Sequence, residues 1–131
     1  MARLFKIIFW LGYTAVLLTS FAHIPWALDK MRIGVLHFRI RLDHLLHMCV
    51  YFLICMYYFA GQSKGLTLFR ANRLRSFVVA VLVLATVSEL VQWWVPSRSF
   101  NPMDWVANVT GMAIGLGVGR LAFKKKDTTN I

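Results

Sequence analysis

From Ile7 to Leu28 the chain contains no Asp, Glu, Lys or Arg, and three further apolar stretches follow over residues 44–61, 76–95 and 104–123. The hydrocarbon core of a bilayer is about 30 Å thick, and a helix needs roughly 20 mainly apolar residues to cross it. Inside lipid only a helix or a closed barrel satisfies its own backbone groups, and these runs have the length of helices. The pattern therefore predicts an all-α, four-helix transmembrane bundle. Glu89 is the one charge inside the third stretch, and Arg120 near the end of the fourth can snorkel to the interface.

Composition agrees. The 131 residues are 59% hydrophobic and 15% charged, with mean hydropathy +0.62. Soluble domains run nearer half apolar and a quarter charged. A chain this short has room for one domain, residues 1–131. The net charge of +10 does not indicate nucleic acid, because nearly all the basic residues flank the apolar runs, where lysine and arginine set membrane orientation.

The first stretch has a second reading as a cleaved signal peptide, with Arg3 and Lys6 as its basic start and Ser20-Phe21-Ala22 as a small-x-small site. The apolar run continues past Ala22 and is long for a signal core, which favours an uncleaved anchor. With the amino terminus inside, ten basic residues lie on the inner side, at positions 3, 6, 64, 70, 73, 75, 120 and 124–126. Five lie on the outer side, at 30, 32, 39, 41 and 98. The bias places both termini in the cytoplasm and the chain in the bacterial inner membrane, and it draws anionic lipid heads to the inner loops. The outer loop 29–41 reads either as a short extended piece, from the Arg39-Ile40-Arg41 alternation, or as an interfacial segment. Cys49 and Cys55 fall about 9 Å apart along one helix at ~1.5 Å per residue, too far for a disulfide.

In this orientation the intramembrane polar residues fall at the outer end. Asp43, His44 and His47 open the second span, Ser88, Glu89 and Gln92 close the third, and Asp104 and Asn108 open the fourth. Glu89 is placed about 9 Å below the end of its helix, and His47 and Asn108 about 6 Å below theirs. Charges at such depth are costly, so they face the bundle and pair. Asp43 and His47 share a helix face, as do Glu89 and Gln92, and Asp104, Asn108 and Gly111 continue into Gly115 and Gly119 as a small-residue ridge for helix packing. Singly, each polar residue has a packing role open to it: Asp43 or Asp104 pairing with Arg98, Gln92 or Asn108 bonding between helices. Together they form a candidate ligand-binding set of Asp43, His47, Glu89, Gln92, Arg98, Asp104 and Asn108.

The ordered motifs Asp43-x3-His47, Glu89-x2-Gln92, Pro96-x-Arg98 and Asp104-x3-Asn108-x2-Gly111 resemble the VanZ-like family of small bacterial membrane proteins. The resemblance covers roughly Leu42 to Gly119. His44 stands where the family usually has lysine, and Ser97 where it often has glycine. The family is named for a protein that lowers sensitivity to teicoplanin, a lipoglycopeptide acting on peptidoglycan precursors outside the membrane.

Three functions are compatible with these residues. In the first, the outer pocket engages a lipid headgroup, a lipid-linked cell-wall precursor or a lipoglycopeptide, with Arg98 on a phosphate or carboxylate. In the second, the protein is an intramembrane hydrolase or transferase on a lipid-linked substrate, with Glu89 as acid or base, or with a divalent metal on Asp43, His47, Glu89 and Asp104. No nucleophile motif supports it. The third, a proton-coupled transporter, fits poorly with Glu89 in the third helix and the marked charge bias. The first reading calls for no cofactor. Partners would be membrane lipids and, along the glycine ridge, a second copy in a homodimer.

Overall fold

The computed structural model describes residues 1–21, 32–35, 38–70, 73–95 and 101–123. Four helices dominate them: α1 (Ala2–Phe21), α2 (Leu42–Ser63), α3 (Arg73–Trp94) and α4 (Pro102–Ala122). Each extends beyond the corresponding apolar run at one or both ends. Arg3 and Lys6 are inside α1 and Arg73 and Arg75 inside α3, because these long side chains are good helix formers and hydropathy marks only the lipid-immersed part of a helix. The far end of the first stretch, beyond Phe21, lies outside the described residues.

The loop before α2 is extended. Strands β1 (Arg32–Val35) and β2 (Phe38–Arg41) form an antiparallel hairpin pairing Ile33 with Ile40 and Gly34 with Arg39, and β2 runs directly into α2. At the other end of the bundle α2 stops at a left-handed residue, Gly65 (φ 73°), and the Leu66 amide bonds back to the Gly61 carbonyl at 2.9 Å. That six-to-one bond closes the helix with a glycine-dependent turn.

Cross-helix contacts fix the directions. Phe5 stacks on Tyr57 and Tyr58 on Phe77, so α2 runs antiparallel to both α1 and α3. The glycine ridge sets α4 parallel to α2: Gly111 lies against Met48, Gly115 against Phe52 and Cys55, and Gly119 against Phe59. A β-carbon on Gly115 would sit 2.6 Å from that of Cys55, so only glycine permits this approach. The ridge is therefore covered within the chain. The face of α4 that carries the three glycines is the one that meets α2.

The core joins all four helices through Phe5, Phe9, Tyr51, Cys55, Tyr58, Phe77, Val81, Leu84 and Met112. Large apolar side chains also cover the outside, among them Leu11, Leu53, Trp93, Trp94 and Leu121, each more than 60% exposed. Water would not tolerate so continuous an apolar surface, whereas lipid tails match it. α1, α2 and α3 are each long and apolar enough to cross a membrane. α4, at 21 residues, has similar length but carries Asp104, Asn108 and Arg120.

Candidate functional site

The polar residues of α2, α3 and α4 meet at the hairpin end of the bundle. Asn101 starts the arrangement by capping α4: its Oδ1 accepts from the Met103 amide at 3.1 Å, and Pro102 occupies the first helical turn, where its missing N–H costs nothing. Asp104 follows in that turn, where the helix dipole favours a carboxylate. It accepts from Asn101 Nδ2 at 3.2 Å and lies 2.9 Å from His44 Nε2. A carboxylate can only accept, so His44 carries its proton on Nε2. The 3.3 Å approach of Asn101 Nδ2 to the same ring nitrogen is then a contact between two donors, not a hydrogen bond.

One turn deeper, Asn108 is fully buried and links three helices. Its Nδ2 donates to Glu89 Oε1 at 3.1 Å, and its Oδ1 lies 2.9 Å from His47 Nδ1. With the amide nitrogen committed to Glu89, the oxygen must accept, so His47 is protonated at Nδ1. His47 Nε2 faces Asp43 Oδ1 at 3.6 Å, longer than a hydrogen bond. Glu89 is 1% exposed and Gln92 5%. Below them the Tyr51 hydroxyl meets Ser88 Oγ at 3.4 Å, and Ser88 donates in turn to the Ala85 carbonyl at 3.0 Å.

This network borders a cavity of about 310 Å³, whose polar end is formed by Asp43, His47, Tyr51, Ser88 and Gln92 and whose walls include Val16, Leu46 and Val50. A second, apolar cavity of about 340 Å³ between α1 and α2 shares Val16 and Val50 with the first and continues past Gly12, Leu53 and Tyr57. Together they follow α1 from Ser20 to Ile8, about 18 Å at ~1.5 Å per residue.

Of the residues picked out from the sequence, Asp43, His47, Glu89, Gln92, Asp104 and Asn108 share this end of the bundle, while Arg98 lies outside the described residues. The four candidate metal ligands separate: Asp43, His47 and Asp104 offer atoms within 4.8 Å of one another, and Glu89 is joined to them through Asn108. His44, Asn101, Tyr51 and Ser88 were not in the candidate set. The Asn-Pro pair opening an apolar run was a legible helix-start signal for Asn101. Nothing in the sequence revealed that His44 rather than His47 contacts Asp104.

The family model described as VanZ/LLP1 matches residues 4–123, nearly the whole chain. No curated protein and no solved structure matches it.

Proposed function

The chain belongs to the VanZ-like family of membrane proteins, and from that premise we propose that its hairpin-end pocket engages the headgroup of a lipid or lipid-linked envelope precursor, in the outer leaflet of the bacterial inner membrane. The observation that carries this reading is the union of a polar end and an apolar groove. Asp43, His47 and Gln92, with Thr19, Ser20, Tyr51 and Ser88 beside them, stand at one end of two adjoining cavities whose other walls are mainly aliphatic and aromatic. An amphiphile has that same division: hydrogen-bonding headgroup at one end, hydrocarbon chain behind it. The headgroup meets the α2–α3–α4 network and the chain lies between α1 and α2. Teicoplanin tolerance follows if occupancy of the pocket changes how the antibiotic's precursor target is presented.

The test is lipid identification by native mass spectrometry of protein extracted in mild detergent. Wild-type protein is expected to retain one lipid species above its abundance in the membrane. Val50→Trp, which fills the junction of the two cavities, and Gln92→Leu, which removes a polar group from its end, are each expected to reduce that retention about tenfold. Bulk lipid composition in wild type, unchanged by either substitution, would overturn the reading.

Orientation is tested separately. In a Cys49→Ser/Cys55→Ser background, Met103→Cys, 58% exposed at the hairpin end, is expected to react with a membrane-impermeant maleimide on intact spheroplasts. Lys64→Cys is expected to react only after lysis. The reverse pattern would place the pocket on the cytoplasmic side.

A further inference from the structure

We propose that the end of the bundle opposite the hairpin holds the phosphate of an anionic phospholipid, on Arg73 and Gln62. The site is a cavity of about 670 Å³, roughly twice the volume of either cavity along α1. Gln62 and Ser63 at the close of α2, Arg73 and Leu74 at the opening of α3, and Phe123 just past α4 line it. It shares no residue with the hairpin-end pocket, so the two readings stand or fall separately.

Donors outnumber acceptors around this cavity. Gln62 Nε2 is buried and meets no acceptor at hydrogen-bond geometry among the described residues, although the Tyr58 hydroxyl is beside its side chain. An amide nitrogen carries two N–H groups, so that hydroxyl could take only one of them, and a buried donor left unmet is costly. Arg73, exposed at the cavity edge, adds a guanidinium whose charge also reaches the Tyr58 hydroxyl. Several helix-end carbonyls that would repel an anion are already taken. The Gly61 carbonyl accepts from the Lys64 and Leu66 amides, that of Gln62 from Gly65, that of Gly119 from Phe123, and that of Ala60 from the Ser63 hydroxyl.

The charge that would answer these donors is not supplied by the described chain. Its carboxylates, Asp43, Glu89 and Asp104, all belong to the hairpin end. Asp127 lies outside the described residues and follows three lysines. α3 opens with Arg73 and Arg75 and has no acid in its first turn, where free amides and the helix dipole favour a negative group. A phosphate fits that vacancy of charge, and the planar fork of arginine matches its oxygens. A phospholipid suits the cavity better than a free phosphate, because Phe59, Leu74 and Phe123 set apolar surface beside the donors. Glycerol backbone and acyl chain would cover that surface, which inorganic phosphate leaves wet. In the orientation given by the charge bias, the lipid belongs to the cytoplasmic leaflet, where anionic lipids gather basic segments.

The experiment reads the cavity itself. In the full-length Cys49→Ser/Cys55→Ser protein in neutral detergent, Ser63→Cys puts an exposed thiol on the lining, and its labelling by N-ethylmaleimide is timed. Saturating short-chain phosphatidylglycerol is expected to slow labelling about fivefold or more, and diacylglycerol with the same chains to leave it unchanged. Arg73→Gln and Gln62→Leu, each eluting as the parent does, are each expected to raise the lipid concentration for half-protection about tenfold. Arg75→Gln removes the same charge from the same helical turn but does not line the cavity, and is expected to protect as the parent does. Equal losses in Arg73→Gln and Arg75→Gln would overturn the site and leave only diffuse attraction to a basic surface. Absence of protection by phosphatidylglycerol would overturn it outright. Inorganic phosphate or glycerol phosphate protecting at the same concentration as the lipid would overturn the phospholipid as its source.

Discussion

Replacing Gly111 by alanine is expected to destabilise the bundle by about 2 kcal/mol, although alanine is ordinarily the better helix former. The added β-carbon would run into the backbone of Met48, which belongs to a neighbouring helix and cannot rotate away as a side chain can. Overpacking of this kind costs about 1–3 kcal/mol, with rigid obstacles at the upper end. The helix-propensity gain of at most ~1 kcal/mol offsets part of that. Gly117 is the internal control: nothing lies within 4 Å of its hypothetical β-carbon, so Gly117→Ala should be neutral or stabilising by up to ~1 kcal/mol. Thermal unfolding of both variants in the same detergent decides the matter. If Gly111→Ala is as stable as Gly117→Ala, the close α2–α4 contact is not a feature of the folded protein. The contact also matters to the site, since Gly111 lies one turn after Asn108 and Met48 directly after His47. Separating the helices there stretches the His47–Asn108 bond.

Asn108→Leu is expected to cost about 2–3 kcal/mol and to abolish lipid retention. The substitution nearly preserves volume, so the effect isolates hydrogen bonding. It removes the donor to Glu89 and the acceptor for His47 in one step, at a position with no exposure. A buried polar group deprived of a partner costs about 1–3 kcal/mol. Two are affected, but the unfolded chain in lipid also finds partners for them, which lowers the net value. Glu89→Gln provides the contrast. The amide oxygen still accepts from Asn108, so the cost should stay near 1 kcal/mol, the difference between charged and neutral acceptors. Equal stability of Asn108→Leu and wild type would show that the three helices do not meet through this residue.

The apolar runs, their helical state and the family motifs were legible in the chain because membrane insertion depends on local hydropathy, which each segment carries by itself. Periodicity likewise put Asp43 with His47, and Asn108 with Gly111, on single helix faces. Which faces meet is a different kind of information. The glycine ridge read as a packing surface, but the sequence did not say for which helix, and packing gave it to α2. Asp43, His47, Glu89 and Asp104 looked like one ligand set, yet Asn108 stands between Glu89 and the others. Asp104 takes His44 as its partner, while His47 turns to Asn108. Those choices depend on ångström-scale distances between helices, set here by absent β-carbons at Gly111, Gly115 and Gly119. Hydropathy could decide that these segments enter the membrane; only the packed bundle decided which side chains became neighbours inside it.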